Sequence, residues 1–209
     1  MEVSVKVDGD KVKPISEHLI GIFFEDINYA ADGGLYAEFV QNRDFEYSSQ
    51  DHRNWNSQYA WSVKNGNAVF TIAEDNPIHV NNPHYAVLDI QQPGASLVNE
   101  GFDGIVVKKG EKYDFSFFGK MLQGKGGKVK VALVNKDGKE IAQTIVKVTS
   151  ADWKKQKAVM SVTEDAANAT LAVTPQTTGK YAFDMISLFP QNTFKGRKNG
   201  LRADLAQTL

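Results

Sequence analysis

Hydrophobic and polar residues alternate in short runs through the middle of the chain. The runs predict β-strands over residues 85–90, 113–118, 129–134, 158–162, 169–173 and 181–188. Polar turn signals that contain glycine, such as Pro93-Gly94 and Gly126-Gly127, separate them. Many short strands joined by polar turns, with almost no helical periodicity, are typical of a β-sandwich, and we predict a jelly roll.

Both ends of the chain show a different pattern. Valines alternate with polar residues over 3–7, which predicts a half-buried strand, and the unbroken apolar run 19–24 predicts a strand buried on both faces. Apolar residues at i and i+4 within 35–40 predict a short helix, and leucines recur at the same spacing over 201–209. The ends are therefore typical of strand–helix units in a parallel α/β protein.

The length of the chain limits what these units can form. A complete (β/α)8 barrel takes about 250 residues, and the chain has 209. We therefore predict a mainly β protein, a jelly-roll β-sandwich flanked by pieces of an incomplete barrel. In this prediction residues 1–44 hold the N-terminal strand and the first strand–helix unit, 45–188 form the sandwich, and 189–209 are a resumed barrel segment ending in a truncated helix.

Charge and composition narrow the choice of partner. Lys plus Arg number 24 and Asp plus Glu number 25, which gives a net charge of −1. A balanced charge argues against nucleic acid and an anionic membrane as partners, because both attract basic surfaces. The chain has no cysteine, which excludes thiol catalysis, cysteine-ligated zinc and iron–sulfur chemistry.

An acidic pair, Glu25 and Asp26, directly follows the apolar run 19–24. Functional groups gather at the carboxyl ends of strands in parallel α/β proteins, and successive strand residues point to opposite faces. One acid of the pair is therefore a candidate for ligand binding. The alternative is that both acids begin a solvated loop.

A second pair of carboxylates lies at the predicted first and last strands of the sandwich. A jelly roll commonly brings these strands together, so Glu46 and Asp184 are candidates for one site. Carboxylates with backbone carbonyls suit a hard, oxygen-liganded ion such as calcium, and a buried carboxylate without such a partner is costly. Two separate surface acids are the alternative.

The candidates for a sugar-stacking platform are Trp55, Tyr59, Trp61 and Tyr85, because aromatic faces pack well against apolar sugar faces; packing in the core is the alternative. Trp61 begins a strand and is predicted to lie in the core. Trp55 lies in the polar stretch 53–57, where exposure is expected. Trp55 is therefore the candidate for sugar stacking.

Other motifs favour structural roles. Asn99-Glu100 looks like the pair that precedes an acid/base glutamate in many barrel glycosidases, but it lies among sandwich strands, which favours a turn. The glycine-rich stretch 123–128 lacks the Ser or Thr and the strand–loop–helix context of a phosphate-binding loop. The four histidines lack metalloprotease spacing.

Two long segments carry a resemblance to a known family. Residues 21–28 (Gly-Ile-Phe-Phe-Glu-Asp-Ile-Asn) and 33–43 resemble the start of the α-L-arabinofuranosidases of glycoside hydrolase family 51. Residues 187–197, together with 199–202, resemble the point where the barrel of that family resumes. The segment between them, which includes 99–105, is similar to the carbohydrate-binding-module-type sandwich inserted in many members.

The resemblance implies a retaining hydrolase that removes terminal α-L-arabinofuranosyl groups from arabinan, arabinoxylan or similar polymers. It implies that Glu25 hydrogen-bonds the sugar in the glycone pocket without being a catalytic carboxylate. Both catalytic carboxylates of the family lie on later barrel strands, so we expect no catalytic residue in this chain and no hydrolysis by it alone. Related sandwich modules hold a structural calcium with a glutamate in an Asn-x-x-Phe-Glu stretch and an aspartate in the last strand, which Glu46 and Asp184 match.

The expected partners are an arabinose-containing polysaccharide or oligosaccharide and the missing barrel of a longer parent chain. The sandwich either binds glycan, with Trp55 as a contact, or only braces the barrel. A stand-alone carbohydrate-binding module with no enzymatic role is the alternative function. A periplasmic or extracellular location in a bacterium is favoured.

Overall fold

The computed structural model describes residues 3–10, 12–16, 18–19, 21, 25, 27 and 29–208. Its strands are β1 (Trp61–Lys64), β2 (Ala68–Ala73), β3 (Tyr85–Ile90), β4 (Ser96–Asn99), β5 (Ile105–Val107), β6 (Lys112–Gln123), β7 (Gly127–Val134), β8 (Glu140–Val148), β9 (Lys154–Ser161), β10 (Ala166–Pro175) and β11 (Gly179–Pro190). A 3₁₀ turn (Phe194–Gly196) and a short helix, α1 (Ala203–Ala206), follow them. None of the described helices is long and apolar enough to cross a membrane.

The strands form two antiparallel sheets. One sheet has the order β1-β4-β10-β7-β8, with β5 paired to β10, and the other has the order β2-β3-β11-β6-β9. Buried side chains from both sheets belong to one hydrophobic core cluster. The mainly β sandwich predicted from the alternating runs is therefore confirmed.

Alternation along β6 shows how the sequence builds this core. Tyr113, Phe115 and Phe117 are buried, whereas Asp114 and Ser116 between them are only half-buried. Successive strand residues point to opposite faces. One face of β6 therefore supplies the core, and the other forms part of the outer surface of the five-stranded sheet.

Each run predicted from alternation overlaps an observed strand, and the run 85–90 has the same bounds as β3. The pattern does not single out β2, β4, β5 or β8. Two of these are too short to show an alternating period: β4 has four residues, all of them buried, and β5 has three.

The N-terminal segment differs from its prediction. Residues 3–7 form no strand, and Val3, Val5 and Val7 are each more than three-quarters exposed. Alternating valines favour a strand only where a neighbouring strand pairs with them and one face is covered, and no described residue does this here. Most of the predicted strand 19–24 lies outside the described residues.

Residues 35–40 do not form the predicted helix. The chain there lies beside the second half of β11, and the Phe39 N–H donates to the Leu188 carbonyl (3.1 Å). Within β11, β3 pairs only with residues 179–183. The segment occupies the position beside the rest of β11, where the buried Glu38 carboxylate accepts the Leu188 N–H (2.8 Å). These contacts distant in sequence override the helical spacing.

The two segments that flank the sandwich meet each other. The Arg202 N–H donates to the Leu35 carbonyl (2.8 Å), and Tyr36 forms an antiparallel bridge with Leu201. The helix predicted over 201–209 is reduced to α1, because Leu201 lies in the bridge instead of a helix.

Candidate functional site

Tyr47, Trp55 and Tyr59 form an aromatic stack in the chain that precedes β1. The ring centroids of Tyr47 and Trp55 lie 4.0 Å apart with the planes 19° from parallel, and the Tyr59 centroid lies 5.9 Å from that of Trp55. The His52 ring lies 5.3 Å from Trp55 on the same loop. The stack thus contains the tryptophan that the sequence predicts as a sugar contact. Trp61, in contrast, is buried as predicted.

A buried asparagine holds the chain that carries the aromatic stack. The Asn42 Nδ2 group donates to the carbonyls of Ser57 (3.1 Å) and Tyr59 (3.0 Å), and its Oδ1 accepts the Tyr47 N–H (3.1 Å). The Trp61 Nε1 group donates to the Asn42 carbonyl (2.9 Å). Asn42 has φ of +50°, a left-handed conformation in which asparagine is enriched. One side chain therefore ties together both ends of the stack.

The aromatic stack lines a cleft of about 670 Å³, which we call the aromatic cleft. Further lining residues are Tyr29, Asp32, Asp51, His52 and Asp103. Aromatic faces offer a packing surface for the apolar C–H groups of a sugar, and carboxylates accept hydrogen bonds from hydroxyl groups. The volume lies in the range of small-ligand pockets.

The tyrosine hydroxyls of the stack stay protonated at neutral pH. Burial, together with the nearby charge of Asp32, raises the pKa of Tyr47 to about 12. Burial also raises the pKa of Tyr59. A neutral phenol can both donate and accept a hydrogen bond, which suits recognition of neutral hydroxyl groups.

Glu25 lies two residues before the wall of the aromatic cleft. Its side chain is exposed, and no ion pair or side-chain hydrogen bond joins it to a described residue. Its carbonyl accepts the N–H of Ile27 (3.1 Å), and Ile27 lines the cleft. Asp26 lies outside the described residues. Glu25 itself is not among the residues that line the aromatic cleft.

Asp184 is fully buried at an irregularity in β11. Its Oδ1 accepts the Met185 N–H (2.7 Å), and its Oδ2 accepts a hydrogen bond from Asn82 Nδ2 (3.0 Å). Burial raises the pKa of Asp184 to about 8, and the negative charges of Asp44 and Glu46 act in the same direction. The two carboxylates predicted to bind calcium are thus close enough to interact electrostatically.

Glu46 does not lie in the first strand of the sandwich, contrary to prediction. Asn42 and Phe45 just before it have left-handed φ angles, which an extended strand cannot accommodate. Glu46 Oε1 accepts the His84 N–H (2.8 Å), and Oε2 lies 2.6 Å from His84 Nδ1. Among the described residues there is no ready-made group of three or more His, Asp or Glu that could hold a metal ion. Calcium therefore stays a prediction.

A buried carboxylate that the sequence pattern does not predict, Glu38, anchors the flanking chain. Glu38 accepts hydrogen bonds from Ser187 Oγ (2.6 Å) and from the backbone N–H groups of Leu188 (2.8 Å) and Val40 (3.0 Å). Arg43 Nη1 lies 3.6 Å from its carboxylate. Burial raises the pKa of Glu38 to about 7, although these hydrogen bonds and the Arg43 charge oppose the rise.

Tyr29, Tyr47 and Asn42 are parts of the site that the sequence pattern does not predict. The available signal is the Asn-x-x-Phe-Glu stretch 42–46, which was interpreted above only as a calcium motif. In the structure the first residue of that stretch orders the loop of the aromatic stack.

Two packed antiparallel sheets with an aromatic cleft are typical of carbohydrate-binding β-sandwiches. A family model described as Carbohydrate binding domain (CBM_4_9) matches residues 37–180. The chain belongs to this family.

Similar proteins extend the match beyond the sandwich. An extracellular exo-α-L-arabinofuranosidase of Streptomyces chartreusis is 37% identical over 210 residues, covering 100% of the chain and 24% of that protein. Alpha-L-arabinofuranosidase 1 of Arabidopsis thaliana is 28% identical, over 99% of the chain and 32% of its own length. A solved arabinose-bound GH51 α-L-arabinofuranosidase matches with a TM-score of 0.77 and 31% identity, over 88% of the chain and 31% of that protein.

These matches confirm the predicted resemblance to family 51 arabinofuranosidases. The chain spans about a quarter to a third of the curated relatives that it matches.

Proposed function

We propose that this chain is the non-catalytic, sugar-binding part of a longer α-L-arabinofuranosidase that acts on arabinose-containing plant polysaccharides. The observation that carries the proposal is the aromatic stack in a cleft of about 670 Å³. The arabinofuranosidase relatives support an arabinose-containing polymer as the ligand. The name of the Streptomyces relative, an extracellular enzyme, supports an extracellular location.

Hydrolysis in this proposal requires the rest of the longer protein. Glu25 binds the terminal sugar there, and two carboxylates about 5–5.5 Å apart perform the retaining reaction. We expect the 209-residue chain to leave an aryl α-L-arabinofuranoside intact. Turnover that copurifies with the chain would contradict this expectation.

Calorimetric titration with arabinan and arabinoxylan oligosaccharides tests whether the sandwich binds glycan. The wild-type chain should release or absorb heat on binding, and Trp55→Ala should weaken the affinity about tenfold or more, because a stacking surface worth ~1.4 kcal/mol is lost. Trp153→Ala is the matched control. Trp153 is also half-buried and contacts an aromatic ring, Tyr85 at 5.1 Å, but it does not line the aromatic cleft.

Equal affinities of the wild type and Trp55→Ala would exclude the aromatic cleft as the binding site. No binding by any of the proteins would favour the alternative in which the sandwich only braces the barrel.

We also propose that Glu46 and Asp184 hold a structural calcium ion. The support is the buried Asp184 carboxylate, whose ionised form is disfavoured by burial and by its acidic neighbours. A divalent cation would offset that repulsion, and an ion bound only by the folded state raises its stability.

Excess chelator should therefore lower the melting temperature of the wild type, and Asp184→Asn should abolish this response. Asp152→Asn, a change of an exposed aspartate, should keep it. A melting curve of the wild type that is the same with calcium and with chelator would rule the site out.

A further inference from the structure

A second cleft lies on the outer face of the five-stranded sheet. Its volume is about 420 Å³, and it shares no lining residue with the aromatic cleft. Side chains alternate between the two faces of a strand, so residues of β6 and β9 whose neighbours point into the core point outward. Several of these outward-facing residues line the cleft. Lys198 and Asn199, which follow the 3₁₀ turn, also line it.

Lysines dominate the charge of this second cleft, which we call the basic cleft. Lys155 and Lys157 on β9 and Lys198 line it, all three are exposed, and none forms an ion pair with a described residue. Asp114 is the carboxylate among the lining residues, and its Oδ1 already accepts a hydrogen bond from Gln191 Nε2 (2.7 Å). The lining therefore carries three positive charges against one negative charge.

Some lysines elsewhere on the sheets are neutralised by carboxylates. Several are paired with carboxylates across neighbouring strands or turns: Lys64 with Glu100, Lys130 with Glu140, Lys139 with Glu164 and Lys180 with Asp89. The basic cleft thus collects cations that the described part of the fold does not neutralise.

The rest of the basic cleft suits a sugar ring. Val159 is half exposed on its floor, and the Ser116 hydroxyl and Asn199 amide supply hydrogen-bonding groups. The Lys155 ammonium lies 5.2 Å from the centroid of the Phe118 ring, which holds that side chain along the sheet. The apolar floor matches the C–H face of a sugar acid, and the neutral polar groups match its hydroxyls. The lysines match its carboxylate.

We propose that the basic cleft binds the carboxylates of an acidic, uronate-containing polysaccharide. The carbohydrate-binding family of the chain favours a polysaccharide over other polyanions. The lining residues also include no arginine, the side chain best suited to bidentate phosphate recognition. The chain as a whole carries a net charge of −1, so the attraction comes from this local cluster.

Titration of the 209-residue chain with oligogalacturonate tests the proposal, with the fully methyl-esterified oligosaccharide as the uncharged equivalent. We expect binding of the acid form that weakens with added salt, and little binding of the ester. Changing Lys155, Lys157 and Lys198 together to Gln should weaken binding of the acid about tenfold, because each exposed ion pair contributes modestly and all three cations are removed.

A second triple variant provides the matched control. Lys128, Lys136 and Lys147 are also exposed and without ion pairs to described residues, and they lie on β7, β8 and the turn between them. Their change to Gln removes the same charge and should leave the affinity unchanged. Equal losses in both variants, equal binding of acid and ester, or equally tight binding of single-stranded DNA would each overturn the proposal.

Binding at the basic cleft is expected to be independent of the aromatic cleft. Binding of neutral arabinan oligosaccharides should survive the Lys155, Lys157 and Lys198 variant, and oligogalacturonate binding should survive Trp55→Ala. Failure of one site is therefore distinguishable from failure of the other.

Discussion

The sandwich and the segments that flank it differ in how far they cover their own apolar side chains. Phe115 and Phe117 in β6 are at most 1% exposed, whereas Leu19, Leu201 and Leu205 in the flanks are 37–69% exposed. The inward faces of the two sheets cover each other, although outward-facing Val69, Ile145 and Val159 are 50–57% exposed. In the flanks Val40 is buried, but no described residue covers the three leucines. In the longer arabinofuranosidase that we propose, the rest of the protein would supply a surface that covers these leucines.

The largest expected difference in unfolding free energy is between a variant of a core phenylalanine and a variant of a flank leucine. Phe117 is fully buried, and its ring centroid lies 5.6 Å from that of Phe115 and 5.4 Å from that of Phe183. Phe117→Ala should lower the free energy of unfolding by about 3–5 kcal/mol, because it creates a cavity. Leu205→Ala should change it by less than about 0.5 kcal/mol. Urea unfolding measures both, and similar losses would remove the distinction between the two regions.

The same contrast explains what could be predicted from sequence. In 113–118 the alternation itself states which side chains face the core, so the strand and its buried face follow directly. The spacing in 35–40 is equally regular, but its outcome depends on Glu38 and on partners about 150 residues away, Ser187 and Leu188. Local spacing contains no information on such contacts.

The candidate site also has one part that the sequence predicts and one part that it does not. The polar surroundings of Trp55 indicate exposure, and the structure places it in a cleft. Its stacking with Tyr47 depends on a loop that Asn42 orders through hydrogen bonds to distant backbone groups. The position of a tryptophan was therefore accessible from sequence, whereas the assembly around it was not.

Asn42 lies where the N-terminal flank joins the sandwich, and its replacement should have the next largest effect. Asn42→Ala removes the side-chain hydrogen bonds of the loop and leaves partly buried backbone groups without these partners, which should lower the free energy of unfolding by roughly 2–3 kcal/mol. Asn65→Ala is the control, because Asn65 also has a left-handed φ but is exposed in a turn. Chemical denaturation compares them. Equal costs would mean that backbone strain, and not the loop contacts, is responsible.

Glu38 gives a smaller, pH-dependent effect at the same junction. Its pKa is raised from the usual 4.5 to about 7 in the folded chain, so the folded state holds the proton more tightly than the unfolded state. The stabilisation of the folded state that this proton provides is complete below about pH 4.5 and is lost as the pH rises through about 7. Glu38→Gln should reduce the change in the free energy of unfolding between pH 4.5 and 7 by roughly 1–2 kcal/mol.

Glu100→Gln, a change of an exposed glutamate, is the control for Glu38→Gln and should keep the wild-type pH dependence. A wild-type stability that rises between pH 5 and 7, with the same rise in both variants, would show that Glu38 is not buried as a neutral acid.

A crystal structure of the 209-residue chain with an arabino-oligosaccharide tests most directly whether the sandwich holds a sugar site of its own. We expect a sugar ring in the aromatic cleft, in contact with Trp55 and within hydrogen-bonding distance of the tyrosine hydroxyls or carboxylates that line it. A sugar bound elsewhere on the sandwich, with the aromatic cleft empty at saturating ligand, would contradict it.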